Sequence, residues 1–194
     1  MKKIQLILLL FCIHASNVLS IEPDVFVQST VNRASQVLSK DISKDQKINQ
    51  LKSIAKETVD INGVGFYSLG SARKNLNDSQ KIRYLKLFED YFLKSFSSRL
   101  AEYTNPEIEV NDKKVLNMNY TIVNSLLIAT SERPEVKIDW RVYTKNPENP
   151  LIRDLIIEGL SLARTQKEEF SSILNSNDGD INALFKTLEE FSQN

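Results

Sequence analysis

Residues 136–142 read Val-Lys-Ile-Asp-Trp-Arg-Val. This strict alternation of apolar and charged side chains is typical of a β-strand with one buried and one solvated face. Residues 108–110, 120–128 and 151–158 show a similar strand character, and residues 146–150 supply turn residues before the last of them. The second half of the chain therefore predicts an antiparallel sheet.

Helices are predicted on both sides of this sheet. Residues 24–40 and 45–59 carry apolar side chains at helical spacing before it. Two further helices follow the sheet, one capped by Ser161 and one over residues 180–191. Helices before and after a sheet with one apolar face predict an α+β fold in which the helices pack on that face.

The longest predicted helix covers residues 77–103. Asn77 or Asp78 would cap it, and Pro106 ends it. The stretch before it, residues 60–70, contains three glycines, which indicate close packing or turns rather than a phosphate-binding loop. Between this helix and the sheet there is room for a cavity. The large apolar side chains of the helix recur at steps of three or four: Ile82, Leu85, Phe88, Phe92, Phe96, Leu100 and Tyr103.

The N-terminal segment, residues 1–20, has the features of a secretory signal peptide. Two lysines precede an apolar run at residues 4–13, which is shorter than the roughly 20 apolar residues that a membrane-spanning helix needs. Cleavage is predicted after Ser20. The rest of the chain, residues 21–194, is predicted to form a single domain, because no repeat or linker divides it.

Removal of this segment takes away the only cysteine and the only histidine, Cys12 and His14. A thiolate nucleophile, a disulfide, a Cys/His zinc site and a serine–histidine triad are therefore excluded for the remaining chain. Two of the 25 basic residues leave as well, while all 25 acidic residues stay. This balance does not favour nucleic-acid binding, which needs a basic surface.

Two segments carry a more specific pattern: residues 133–140, Arg-Pro-Glu-Val-Lys-Ile-Asp-Trp, and residues 154–161, Asp-Leu-Ile-Ile-Glu-Gly-Leu-Ser. Residues 69–70, Leu-Gly, precede the long aromatic helix, and residues 179–188 close the chain in a similar order and spacing. Together these segments resemble the MlaC or toluene-tolerance family of periplasmic phospholipid-binding proteins.

The resemblance implies a cystatin-like α+β fold, with helices on one face of a curved antiparallel sheet and an internal apolar pocket. It implies a periplasmic shuttle that carries phospholipid between an outer-membrane lipoprotein–porin complex and an inner-membrane ABC transporter with an MCE-domain ring, and so maintains outer-membrane lipid asymmetry. Phospholipid is then cargo rather than a cofactor, and neither catalytic residues nor a metal is implied. The protein is expected to be a monomer. The side chains expected to line the pocket are Phe66, Leu85, Phe88, Phe92, Phe96, Tyr103, Ile122, Val136, Ile138, Trp140, Val142, Ile156, Leu160 and Phe170.

Two other functions stay open from the residues alone. Asp154 and Glu158 alternate with apolar residues, so a small enzyme acting on an apolar substrate would use them as an acid–base pair; a cap, turn or salt bridge is the simpler interpretation of Glu158. The other alternative is a periplasmic adaptor whose interior is filled. Arg133, Lys137 and Arg141 suit a phosphate headgroup or an acidic partner surface, and a solvated sheet face explains them equally well.

Overall fold

The structure, a computed structural model, describes residues 20–193. Within these residues, six α-helices pack against an open, curved, five-stranded antiparallel sheet, which confirms the α+β fold. The predicted signal segment lies outside the described residues apart from Ser20. The helices are α1 (Pro23–Ser39), α2 (Lys44–Thr58), α3 (Ile61–Ser68), α4 (Asp78–Leu100), α5 (Leu162–Asn175) and α6 (Ile181–Gln193). The strands are β1 (Ile108–Asn117), β2 (Tyr120–Leu127), β3 (Val136–Tyr143), β4 (Leu151–Ile157) and β5 (Leu160–Ser161).

The predicted helices are confirmed at α1, α2, α4, α5 and α6, and side chains that cap them explain several of their starts. Ser43 and Asn77 each form a capping box with a glutamine three residues later. Ser161 accepts a hydrogen bond from the backbone N–H of Arg164 at 3.1 Å, as its predicted capping role requires. Each such cap contributes about 1 kcal/mol.

Helix α3 was not predicted, because Gly63 and Gly65 lie inside it and glycine weakens a helix interior. The Asp60 carboxylate starts the helix by accepting a hydrogen bond from the backbone N–H of Gly63 at 2.8 Å. A Cβ atom at Gly65 would lie 2.8 Å from the Phe88 ring of α4. The close packing predicted for this stretch is therefore confirmed.

The buried stripe of α4 differs from the predicted one. Tyr84, Phe88, Leu93 and Ser97 are buried, whereas Ile82 is 71% exposed. The physical reason is that α4 packs against α2, α3 and α6 at once. Its buried surface therefore follows these neighbours and includes positions that a single apolar column does not contain.

The strands of the sheet follow one another in chain order. Strand β3 alternates as predicted, since Trp140 and Val142 are buried on the face that α1 covers with Val27 and Val31. These β3 residues lie across from the buried positions of β2. This inner face of the sheet is the one from which the candidate site is built.

The apolar interior contains two large clusters that meet along a seam. The helical cluster comes mainly from α3 to α6, with Ala55 of α2, and includes Tyr84 and Phe88. The sheet cluster comes from α1 and the strands and includes Val123 and Trp140. Val59, between α2 and α3, packs against both clusters.

The junction between α2 and α3 is fastened to β4. Val59 forms a parallel bridge with Ile152, and the backbone N–H of Asp60 donates to the Ile152 carbonyl at 2.9 Å. The Arg153 guanidinium donates to the Asp60 carboxylate at 2.7 Å and lies 3.6 Å from the centre of the Tyr143 ring. Helical layer and sheet are therefore joined at this end of the seam by both backbone and side-chain contacts.

Candidate functional site: an apolar cavity between helix α4 and the sheet

The seam between the helical and sheet clusters widens into a cavity of about 340 Å³. Helix α4 forms one wall, strands β3 and β4 form another, and α5 with residues near the α2–α3 junction completes the lining. This volume lies at the lower end of the roughly 300–1,000 Å³ found for ligand pockets. The lining is mostly apolar: Val59, Val64, Phe88, Tyr91, Phe92, Ser95, Phe96, Arg99, Trp140, Ile152, Arg153, Asp154, Leu155, Ile157, Leu162, Ala163, Thr165, Gln166 and Glu169.

A row of phenylalanines forms the α4 wall. Phe88, Phe92 and Phe96 are four residues apart and therefore lie one above another on the helix. The rings of Phe92 and Phe96 stack with centres 5.4 Å apart, and those of Phe88 and Phe92 with centres 6.1 Å apart. Phe170 of α5 meets Phe88 edge-on at 6.1 Å from within the helical cluster. The wall is thus a continuous aromatic surface held in place from behind.

The sheet wall presents aliphatic side chains and the Trp140 indole. The indole N–H donates to the Ser125 hydroxyl at 2.8 Å, and this hydroxyl donates to the Ile138 carbonyl at 2.9 Å. The polar atom of the indole is therefore satisfied inside the sheet. Trp140 contributes its apolar ring to the cavity beside Leu155, its direct neighbour on β4.

Polar side chains from α4 and α5 lie along one border of the cavity. The Tyr91 hydroxyl donates to the Gln166 side-chain oxygen at 2.9 Å, and the Gln166 amide donates to Glu169 at 2.9 Å. The Tyr91 hydroxyl is protonated and can donate at neutral pH, and burial raises its pKa further above the ordinary value. With Ser95 and Arg99 on the next turns of α4, this border is suited to the polar end of an amphipathic ligand.

Behind the aromatic wall, the buried Tyr84 hydroxyl donates to the Gly65 carbonyl at 2.8 Å, and burial raises its pKa far above the ordinary 10.0. The unfolded chain releases this proton above about pH 10 and the folded chain retains it, so the free energy of unfolding falls as the pH rises. Between about pH 9 and pH 11, we expect the free energy of unfolding to fall by about 1.4 kcal/mol less in Tyr84→Phe than in the wild type. Urea unfolding at both pH values measures this, and equal losses in the two proteins would contradict it.

The two carboxylates considered as an acid–base pair have separate structural contacts. Asp154 is buried, and its carboxylate accepts hydrogen bonds from the Ser161 hydroxyl at 2.6 Å and from the Ala163 backbone N–H at 3.0 Å, at the start of α5. Glu158 is exposed in the turn after β4, has a φ of 49° and accepts a hydrogen bond from the Lys137 backbone N–H. The turn role predicted for Glu158 matches this position.

The structure brings only part of the predicted lining to the cavity. Three predicted residues belong to the helical cluster behind the α4 wall, namely Phe66, Leu85 and Phe170. Val142 and Ile138 belong to the sheet cluster, where α1 covers the sheet. The predicted residues that line the cavity itself are Phe88, Phe92, Phe96 and Trp140.

The remaining predicted residues lie elsewhere. Val136 is half-buried at the start of β3, Tyr103 is 37% exposed beyond the end of α4, and Leu160 is 56% exposed. Ile122 and Ile156 lie on the face of the sheet opposite to the one that carries Trp140. They pair with two residues that alternate with Trp140: Ile122 with Arg141, and Ile156 with Asp139.

Several cavity residues were missed by the sequence analysis. Tyr91, Ser95 and Arg99 each follow a phenylalanine of the α4 wall by three positions, and a helical-wheel argument would have placed them beside it. Leu155 and Ile157 had no comparable signal. Residues 155–157 are all apolar, so alternation does not reveal which side chains face inward.

Residues 20–193 contain no group of three or more Asp, Glu, His or Cys side chains placed to hold a metal ion. In the same range, no helix combines the length and the apolar composition needed to cross a membrane.

Comparison with known proteins places this geometry in a family. The family model described as MlaC protein matches residues 28–190. A solved structure of the phospholipid-binding protein from Ralstonia solanacearum, in complex with a phospholipid, superposes with a TM-score of 0.76 over 89% of this chain and 98% of that chain, at 20% sequence identity. No curated protein gives a significant match. Since the family model spans most of the sequence, the chain belongs to the MlaC protein family.

Proposed function

We propose that the protein binds a phospholipid with its acyl chains in the cavity between α4 and the sheet, and carries it through the periplasm. In this proposal it receives or delivers lipid at an outer-membrane lipoprotein–porin complex and at an inner-membrane ABC transporter with an MCE-domain ring, and so maintains outer-membrane lipid asymmetry. The observation that carries the proposal is the apolar cavity in a chain of the MlaC family. The phospholipid bound to the Ralstonia protein of the same fold supports it.

The physical requirement for such a carrier is enclosure of the acyl chains. Each methylene group removed from water contributes about 0.8 kcal/mol, so two long chains are stable in a protein only if most of their length is covered. The aromatic wall of α4 and the aliphatic wall of β4 supply apolar cover on two sides. No group of the chain needs to react, because transfer between membranes changes no covalent bond.

The volume of the cavity adds a condition to the proposal. A lipid with two long chains is larger than the drug-sized ligands that occupy pockets of about 300–1,000 Å³, and this cavity holds about 340 Å³. Loading therefore requires the seam to widen. The helical and sheet clusters lie on opposite sides of it and share Val59, so widening away from Val59 would separate the walls while most of the packing inside each cluster stays intact.

The test is native mass spectrometry of the full chain expressed with its N-terminal segment and purified from a bacterial periplasm, followed by lipid analysis of an organic extract. We expect phospholipid in stoichiometric amount and a polypeptide mass that lacks residues 1–20. Protein that carries no lipid, even after incubation with labelled phospholipid vesicles, would overturn the proposal and favour a filled adaptor or an enzyme.

A further inference from the structure

A second concave surface adjoins the lipid cavity. It is an open groove of about 750 Å³ between the C-terminal half of α4, the loop before β3 and the end of α6. Ser95 and Arg99 of α4 line both the groove and the cavity. The groove and the cavity therefore adjoin each other at the C-terminal half of α4.

Three cations and one carboxylate line this groove: Lys94, Arg99, Arg133 and Glu102. Lys94 is already engaged, because its ammonium donates to the carbonyls of Phe191 and Ser192 at the end of α6. The two arginines form no salt bridge with any residue of the described range 20–193. The groove thus has cationic groups in excess of its carboxylate.

Arg133 is the unusual member of this group. Its guanidinium lies 5.2 Å from the centre of the Tyr103 ring, which holds it in place. Its Nε and Nη2 atoms are buried, yet within residues 20–193 they have no hydrogen-bond acceptor. Buried guanidinium donors are normally paired, because leaving a charged donor unsatisfied is costly. These two nitrogens are therefore donors that residues 20–193 leave unpaired, on a side chain that lines the groove.

We propose that Arg99 and Arg133 form a phosphate-binding site at the mouth of the cavity, which holds the phosphodiester of a phospholipid whose acyl chains lie along the aromatic wall. A guanidinium offers two parallel donors to two phosphate oxygens, whereas a lysine ammonium acts as a solvated point charge. Arginine therefore suits a phosphate group better than lysine does. From Phe88 to Arg99 the α4 helix rises by about 16 Å, so the polar site and the buried end of the cavity are well separated. The site rests on the proposed function, since the lipid is the source of its phosphate.

The experiment compares three ligands by titration calorimetry: dioctanoyl phosphatidylglycerol, dioctanoylglycerol, which has the same chains without phosphate, and inorganic phosphate. The proteins are the delipidated wild type, the double variant Arg99→Gln/Arg133→Gln, and Arg73→Gln as a matched arginine control outside the groove. Circular dichroism and urea unfolding establish that all three fold alike.

We expect the double variant to bind the phospholipid at least about tenfold more weakly, as loss of charged hydrogen bonds implies, and to bind dioctanoylglycerol like the wild type. Arg73→Gln should bind both lipids normally. An equal loss for both lipids, or no loss for either, would overturn the site. Inorganic phosphate that binds the wild type as tightly as the phospholipid does would make free phosphate the occupant and overturn the headgroup assignment.

Failure of the proposed function gives a different result. In that case the wild type binds neither lipid. Binding of inorganic phosphate that is lost in the double variant would then retain the phosphate site while refuting the lipid carrier.

Discussion

Leu155→Trp is expected to weaken the binding of phospholipid to the delipidated protein by at least about tenfold. Leu155 lies on β4 next to Trp140 and lines the cavity. A tryptophan ring at this position enters the space proposed for an acyl chain. Displacing two methylene groups into water costs about 1.6 kcal/mol, which already exceeds a tenfold loss of affinity. Titration calorimetry of the delipidated proteins with dioctanoyl phosphatidylglycerol measures the effect.

The matched control for this variant is Leu116→Trp. Leu116 is 44% exposed on β1 and does not line the cavity, so the same change of side chain should leave the phospholipid affinity unaltered. Leu155 is only half-buried and faces open space, so the variant should fold, and its urea midpoint checks this. Wild-type phospholipid affinity in a folded Leu155→Trp protein would show that the acyl chains lie elsewhere.

Phe88→Ala is expected to lower the free energy of unfolding by about 3–5 kcal/mol, the range found when a buried phenylalanine is truncated. Phe88 is 1% exposed, its ring packs against Gly65, and it contacts the rings of Tyr84 and Phe170. The truncation removes the contacts of these neighbours with the Phe88 ring and enlarges the cavity by the volume of that ring. Urea unfolding of the delipidated protein at neutral pH measures the change, and delipidation removes any contribution from bound ligand.

Ile82→Ala on the same helix is the control for Phe88→Ala. Ile82 is 71% exposed, so its truncation should change stability by less than about 0.5 kcal/mol, although alanine favours the helix slightly. This comparison also tests the orientation of α4, because the sequence pattern alone places Ile82 and Phe88 on one apolar face. Equal losses of stability in the two variants would contradict the orientation described above.

The predictable parts of the fold were those in which one periodicity acts alone. Strand β3 has charged residues at every second position, so the inward direction of Trp140 and Val142 follows from the sequence. The capping residues Asn77 and Ser161 have a local mechanism and were likewise predictable. A shifted register of β3 would bury its charged side chains, so the free-energy difference between the correct and the shifted register is large.

The unpredictable parts were those in which tertiary packing overrides the local pattern. In β4, the pairing register with β3 shifts between the partners of Arg141 and Val142. The apolar residues 155–157 that follow in β4 do not reveal which side chains face inward. In β2, Thr121 and Ser125 face inward although Ile122 is more apolar, because the pairing with β3 fixes the face. Helix α3 depends on the close approach of Gly65 to Phe88, a contact between segments that are distant in sequence.

In the proposed carrier, the α2–α3 junction that is fastened to β4 would serve as a hinge when the seam widens. Val59, Asp60 and Arg153 hold it through a strand bridge and an ion pair, whereas the cavity extends from there along α4 towards Arg99. Rotation about this hinge would break contacts along the seam, while most of the packing inside each cluster would persist. Exchange of the proposed lipid would then be a sub-global opening of the native state, with a rate set at the hinge rather than by global stability.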